Sequence, residues 1–217
     1  MDAAALRARL AAPPRPAPVP AAQSAAVGPD AIAAPLTDDD TKDLAQGLLK
    51  QAAVLVPFVL GPAPGVLLTK RAASLSSHAG QVSFPGGRID PCDASPEAAA
   101  LREAEEEIGL DPARVEVLGR LASYVTGSGF CIMPILGLLP PGVALDELSL
   151  CPSAAEVETV FELPLAVLLD PDAPQRRRAQ FRGRWREFWV WPHPDHFIWG
   201  ATAGILVNLA ARLRGPG

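Results

Sequence analysis

The chain has 217 residues, 49% of them apolar and 20% charged, which suits one folded domain with a sizeable core. Its 19 basic and 24 acidic residues give a net charge of −5, which argues against nucleic-acid binding and against an anionic membrane surface. The three cysteines are widely spaced and match neither a disulfide scaffold nor a zinc site, so we expect a cytoplasmic protein. No uninterrupted apolar run approaches the roughly 20 residues that a membrane-spanning helix needs.

Residues 1–36 differ in composition from the rest of the chain. They include 14 alanines and 7 prolines and no aromatic residue, so little bulky apolar surface is available to offset the entropy of ordering them. We therefore predict a disordered tail over residues 1–36 and one folded domain over residues 37–217. The acidic cluster Asp38–Asp40 is typical of a helix start, and that helix is expected to run to about Lys50.

Short apolar runs separated by turn residues follow along the domain. They predict strands, in chain order, over residues 52–60, 66–69, 81–84, 115–118, 121–125, 131–138, 158–161, 180–182 and 187–191. A short helical turn is expected over residues 163–169 and a longer helix over residues 201–213. This mixture of strands with a few helices predicts an α/β (α+β) fold, with a three-layer α/β/α sandwich as its specific form.

One further helix has clear signals at both ends. Ser95 suits the N-cap, and Pro96 suits the first helical position, where its missing N–H costs nothing. Gly109 suits the left-handed position that commonly follows the last turn. These residues predict a helix that begins at Pro96 and ends at Ile108.

That helix carries four glutamates within five residues. Glu103 and Glu107 are four positions apart and Glu106 is three positions from Glu103, so all three project from one side. Like charges at this spacing destabilise an isolated helix, and a hard cation such as Mg²⁺ or Mn²⁺ would reverse that penalty. The alternative is a solvated acidic helix face. Arg102 is four positions before Glu106 and is expected to contact it.

The segment before the helix contains Gly86 and Gly87, which predict a tight loop whose amides can closely approach a ligand. Together with these glycines, residues 102–110 (REAEEEIGL) resemble the Nudix box, whose glutamate end reads R-E-U-x-E-E-x-G-U. The spacing between Gly87 and Arg102 is one residue longer than in that pattern, and Ala94 stands where the family has a glutamate. Nudix enzymes hydrolyse a nucleoside diphosphate linked to another group.

Three separate regions are similar to the Nudix branch that hydrolyses coenzyme A. They are residues 67–87, the Asp-x-x-Asp pair at Asp90 and Asp93, and residues 197–205. The resemblance extends over roughly residues 50–210 and leaves the tail outside it. It implies the Nudix fold with a mixed sheet and, as the reaction, cleavage of coenzyme A to 4′-phosphopantetheine and adenosine 3′,5′-bisphosphate.

The same resemblance implies roles for individual residues. Metal ligation of Mg²⁺ or Mn²⁺ and catalysis would fall to Glu103, Glu106 and Glu107. The general base could be a glutamate of the box or a loop acid, of which Glu156 and Glu158 are candidates. The expected substrate contacts are Arg71, His78, Gly86, Gly87 and Arg88.

Two alternatives keep the fold and change the function. The first is a Nudix diphosphatase that acts on ADP-ribose, dinucleotides or nucleotide sugars. The second is a Nudix-like module that binds a ligand without turnover, although crowded carboxylates at Glu103, Glu106 and Glu107 are of little use to a mere binder. In each case the expected partner is a small molecule.

Overall fold

The computed structural model describes residues 1–11, 49–75, 78–181 and 184–214. Within them the strands are β1 Lys50–Val59, β2 Gly65–Arg71, β3 Val82–Ser83, β4 Gly86–Arg88, β5 Glu116–Arg120, β6 Tyr124–Val125, β7 Phe130–Leu138, β8 Val157–Pro164, β9 Gln175–Phe181, β10 Arg184–Trp191 and β11 Ile198–Trp199. The helices are α1 Ala3–Ala11, α2 Pro96–Ile108, α3 Leu165–Leu169 and α4 Gly200–Arg214. None of these helices is both long enough and apolar enough to span a membrane.

Strand β1 lies at the centre of a mixed sheet. It runs parallel to β7 and antiparallel to β2 and β4, while β5 and β6 pair with β7, and β3 and β8 pair with β2. The last part of the chain adds a separate antiparallel sheet in the order β11-β10-β9. The predicted mixed-sheet α/β class is confirmed.

Alternate residues of β1 pack into two cores on opposite faces of the sheet. Ala53 and Leu55 contact the core that includes the apolar residues of α2, such as Ala104. Val56 and Phe58 contact the other core, which contains α4 and Trp191. Because successive side chains of a strand point to opposite faces, this alternation produces three layers, as the sandwich prediction required. We call these the α2 face and the α4 face.

Helix α2 has the limits that its capping residues predict. The Ser95 hydroxyl accepts a hydrogen bond from the Ala98 N–H over 3.2 Å, and Pro96 follows at the first helical position. Gly109 ends the helix in the left-handed conformation, with φ at 67°. The local signals were sufficient here because capping depends only on neighbouring residues.

The first part of the tail predicted to be disordered over residues 1–36 forms helix α1. Leu6 and Leu10 are buried in the core on the α4 face. Arg9 donates to the Leu213 carbonyl over 2.6 Å, and Arg212 donates in return to the Leu10 carbonyl. The prediction is therefore wrong for residues 3–11, because two leucines four positions apart form an apolar stripe that α4 covers.

Other predicted elements fare differently. Residues 12–48, which include the predicted domain boundary at residue 37 and most of the helix expected after Asp38, lie outside the described residues. The expected end of that helix, Lys50, is instead the first residue of β1. Strand β4 was predicted as a glycine loop, yet its three residues pair with residues 52–54 of β1.

Candidate active site

The Glu107 carboxylate is buried near the C-terminal end of α2, against the start of β4. The residue is only 3% exposed. The Gly86 N–H donates to its Oε2 over 3.1 Å, and Nη1 of Arg71, at the end of β2, lies 3.3 Å from its Oε1. One carboxylate thus contacts donors from two strands, and it fixes the position of α2 relative to the sheet.

The two glycines of β4 allow close approach to different neighbours, β1 at Gly86 and α2 at Gly87. Gly86 has φ at 151°, and a Cβ there would overlap the Ala53 carbonyl oxygen. A Cβ on Gly87 would lie 2.5 Å from Cδ of Glu103. Because glycine has no Cβ, the Glu103 carboxylate can lie directly against the backbone of β4.

Arg102 holds the carboxylates on the exposed side of α2. Its Nε and Nη2 each lie 3.0 Å from an oxygen of Asp93, which makes a bidentate pair. Its Nη1 donates to Glu103 over 3.0 Å and to Glu106 over 3.1 Å, and Nη2 also donates to the Arg88 carbonyl. The predicted contact with Glu106 is confirmed. The hydrogen bond from Arg102 also lowers the pKa of Asp93.

Burial raises the pKa of both glutamates that lie against β4. Burial raises the pKa of Glu107 to about 7, although the Gly86 amide and Arg71 oppose the change. The charges of Glu103 and Glu156 make smaller contributions to this increase. Burial also raises the pKa of Glu103, and neighbouring carboxylates act in the same direction. A cation at this position would therefore stabilise the ionised forms.

A divalent cation fits the chemistry of this set of donors. Carboxylate oxygens are the ligands that Mg²⁺ and Mn²⁺ prefer. Here several carboxylates lie close together, and their negative charges raise the pKa values of the buried glutamates. Among the described residues, no three acidic, histidine or cysteine side chains already form a ligand cluster. Glu103 is turned towards Arg102, and Glu107 towards Gly86 and Arg71.

Glu156 lies next to the buried glutamates, immediately before β8. Its carbonyl accepts the Ala72 N–H over 2.8 Å, its side chain is exposed, and its charge acts on both Glu103 and Glu107. The other predicted loop acid, Glu158, forms an exposed ion pair with Lys70 over 2.5 Å. Of the two acids, only Glu156 acts electrostatically on both buried glutamates.

Two predicted substrate contacts, His78 and Arg88, make contacts elsewhere than with the glutamates of α2. His78 has φ at 56°, and its Nδ1 lies 2.9 Å from Oε1 of Gln81 within the same loop. Arg88 follows Gly87 in β4, so its side chain is on the α4 face, where its Cζ lies 5.7 Å from the ring centroid of Phe130. The structure gathers the other predicted site residues around α2, namely Arg71, Gly86, Gly87, Glu103, Glu106, Glu107 and Glu156.

Asp93 is a member of this site to which the sequence assigned no contact. It accepts the bidentate pair from Arg102 and a hydrogen bond of 2.8 Å from the Asp90 N–H. Residues nine positions apart across a helix start have no regular spatial relation. The Asp-x-x-Asp pattern was the available signal, and it indicated a branch of the family without indicating a partner.

Comparison with known proteins gives consistent matches. The NUDIX domain family matches residues 49–182. The chain is 46% identical over 164 residues to the "Uncharacterized Nudix hydrolase NudL" of Cronobacter sakazakii, covering 76% of this chain and 83% of that protein. The protein of the same name from Photorhabdus laumondii is 44% identical over 165 residues, with 76% and 86% covered.

Solved structures also match, at lower similarity. The MutT protein from Methanosarcina mazei Go1 is 19% identical with a TM-score of 0.44, covering 58% of this chain and 83% of that one. A C. elegans Ap4A hydrolase in a binary complex is 21% identical with a TM-score of 0.43, covering 53% and 80%.

Proposed function

The chain belongs to the NUDIX family, and on that premise we propose that it hydrolyses the diphosphate bond of coenzyme A. The products are 4′-phosphopantetheine and adenosine 3′,5′-bisphosphate. The observation that carries the hydrolytic part is the buried Glu107, which faces the Gly86 amide and Arg71 while Glu103 lies against Gly87. The choice of coenzyme A rests on the resemblance of residues 67–87 to that branch of the family.

The glutamates of α2 are the proposed ligands of Mg²⁺ or Mn²⁺. Glu103 and Glu107 would hold the cation, and Glu106 would join them from the exposed side of the helix. A bound divalent cation neutralises diphosphate charge and lowers the pKa of water. Arg102 acts as a positioning residue, because it holds Glu103 and Glu106 with one guanidinium.

Glu156 is the proposed general base. Its exposed carboxylate can take a proton from the water that attacks phosphorus, and the new P–O bond forms as the bridging P–O bond breaks in line. Arg71 has a partly exposed guanidinium beside Glu107 and is suited to contact the phosphates. Gly87, which follows Gly86 in β4, is a further proposed phosphate contact.

The test of this proposal is a panel of diphosphates. The full chain is incubated with coenzyme A, ADP-ribose or NADH in the presence of Mg²⁺ or Mn²⁺, and products are identified by mass. We expect coenzyme A to have the highest kcat/KM. Equal or faster turnover of ADP-ribose would reject the substrate and retain the reaction class. If no member of the panel is cleaved with either metal, the chain is a binding module.

A further inference from the structure

An aromatic ring lies beside two cations on the α4 face of the sheet. Nζ of Lys50 is 5.4 Å from the ring centroid of Phe130, and Cζ of Arg88 is 5.7 Å from it. The strand register explains this grouping, since Lys50 pairs with Phe130 and Arg88 pairs with Ala52, two residues further along β1. Cross-strand partners share a face of the sheet, so all three side chains project together.

We call Lys50, Phe130 and Arg88 the cationic patch. Neither of its two charged residues forms an ion pair with a carboxylate among residues 1–11, 49–75, 78–181 and 184–214. Lys50 and Arg88 are exposed, and Phe130 is half-buried. Nearby basic residues behave differently, because each forms an ion pair: Lys70 with Glu158, Arg71 with Glu107 and Arg120 with Glu97. An exposed pair of uncompensated cations over an aromatic ring favours a ligand that is both anionic and planar.

The patch is directly behind the acidic site. Arg88 is adjacent to Gly87, whose opposite side faces the Glu103 carboxylate, and the Arg88 carbonyl accepts a hydrogen bond from Arg102. In the described part of the chain, β4 pairs with β1 alone, so its other edge is free of strand partners. The acidic site and the patch are thus on opposite faces of β4, and a substrate held at both would pass around this edge.

We infer that Phe130, Lys50 and Arg88 bind the purine nucleoside phosphate half of the substrate, with the base on the Phe130 ring and the phosphates at the two cations. This inference rests on the proposed function, because it locates one half of the proposed substrate. Aromatic side chains stack on bases, and the long stems of lysine and arginine let their charges turn from the ring to a phosphate. A phosphate thus supplies the negative charge that Lys50 and Arg88 lack, and a base supplies a stacking partner for the ring.

Calorimetric titration of the full chain with adenosine 3′,5′-bisphosphate in EDTA tests the inference without turnover. We expect Phe130→Leu to weaken binding at least about tenfold, and Phe130→Trp to retain binding within about threefold. Lys50→Gln and Arg88→Gln should each weaken binding several-fold. Ribose 5-phosphate, which has no base, should not distinguish Phe130→Leu from the unmodified chain. In the hydrolysis assay, Phe130→Leu should raise KM and leave kcat within about twofold.

Arg176→Gln is the matched control. Arg176 is another exposed arginine over a half-buried ring, with its Cζ 4.5 Å from the centroid of Trp189 on β10. Its removal costs the same charge and should leave binding unchanged. An equal loss of affinity in Arg176→Gln would assign the effect to general electrostatic attraction and overturn the inference. A Phe130→Leu variant with lower kcat and unchanged KM would also overturn it.

The binding and hydrolysis assays separate this inference from the proposed function. If the bisphosphate binds in a Phe130-dependent way and coenzyme A is not cleaved, the patch stands and the proposed reaction fails. If coenzyme A is cleaved and Phe130→Leu changes neither KM nor bisphosphate affinity, the reaction stands and the patch fails. The absence of bisphosphate binding by the unmodified chain also overturns the patch.

Discussion

A carboxylate as deeply buried as that of Glu107 opposes folding when it is ionised. Its pKa is about 7 in the folded chain and 4.5 ordinarily, so between these pH values the folded state keeps a proton that the unfolded state releases. The free energy of unfolding therefore falls as pH rises from about 4.5 to about 7. In EDTA, we expect Glu107→Gln to be more stable than the unmodified chain at pH 8 by up to about 3 kcal/mol.

Urea denaturation at pH 8 and pH 4 measures this difference. Near pH 4 the two proteins should have similar free energies of unfolding, because Glu107 is then protonated in both states. A variant less stable than the unmodified chain at pH 8 would show that the hydrogen bonds of Glu107 outweigh the cost of burying its charge.

The same substitution separates a metal site from a solvated helix face. Glu107→Gln should lower turnover by at least about a hundredfold, on the scale at which loss of one key electrostatic group acts. It should also abolish any rise of Tm on adding Mn²⁺, since only a real site stabilises by binding. Glu105 is exposed on the same helix and provides the control. Similar behaviour of Glu105→Gln and Glu107→Gln would assign the whole cluster to the solvated face.

How far the sequence predicts a contact depends on whether the contact is local. The spacing of four residues correctly predicted that Arg102 reaches Glu106, because both are on one helix. It did not predict the contact of Glu107 with Gly86, which lies 21 positions away, or the bidentate pair with Asp93. Those contacts depend on where the loop between β4 and α2 places the chain, and spacing within a helix carries no such information.

Secondary-structure elements were also predicted correctly where they depend on local contacts and missed where they depend on distant ones. Helix α2 begins and ends where Ser95, Pro96 and Gly109 predicted, because capping is local. Strand β4 was missed, since two glycines and an arginine have little intrinsic preference for a strand. Its strand conformation comes from pairing with β1, whose matching residues are more than 30 positions earlier.

An ion pair between Glu97, in the first turn of α2, and Arg120, at the end of β5, joins those two elements. The hydrogen bond from Arg120 lowers the pKa of Glu97 to about 2. The pair therefore stabilises the fold fully above the ordinary pKa of 4.5, and its contribution is lost as pH falls towards about 2. Because both side chains are partly exposed, we expect Glu97→Gln to cost only about 0.5–1 kcal/mol at neutral pH.

Urea denaturation at pH 7 and pH 2 checks this expectation. Most of the cost of Glu97→Gln should be lost at the lower pH, which is close to the pKa of Glu97 in the folded chain. Glu105→Gln, which removes an exposed glutamate from the same helix, should leave the free energy of unfolding nearly unchanged at both values. If Glu97→Gln lowered the free energy of unfolding by the same amount at pH 2 as at pH 7, the effect would come from packing and not from an ion pair.

At the scale of the whole molecule, α1 closes the core on the α4 face. Leu6 is fully buried, and truncating a buried leucine removes both its transfer free energy and its packing contacts. We expect Leu6→Ala to lower the free energy of unfolding by about 2–4 kcal/mol. Arg7→Ala, which removes an exposed ion pair with Glu116, is the control and should be nearly silent. Equal Tm values for Leu6→Ala and the unmodified chain would mean that α1 contributes nothing to stability.

The three-layer architecture could be predicted because the apolar runs and turn residues are distributed along most of the chain. The docking of α1 could not, because average composition describes residues 1–36 as a whole. Fourteen alanines and seven prolines conceal the two leucines that matter. Contacts between α1 and α4, which are far apart in the sequence, decide which segment covers α4. The composition of residues 1–36 gives no information about these contacts.

The pairing of α1 with α4 also sets the order in which the protein can be completed during translation. Arg9 and the Leu213 carbonyl that it contacts are 204 positions apart. At about 5–20 residues per second, the ribosome needs roughly 10–40 s to synthesise the intervening chain. Throughout that interval the leucines of α1 have no α4 to cover them. Helix α1 therefore docks only after α4 has been synthesised, and until then its leucines form an exposed apolar stripe of the kind that promotes aggregation of nascent chains.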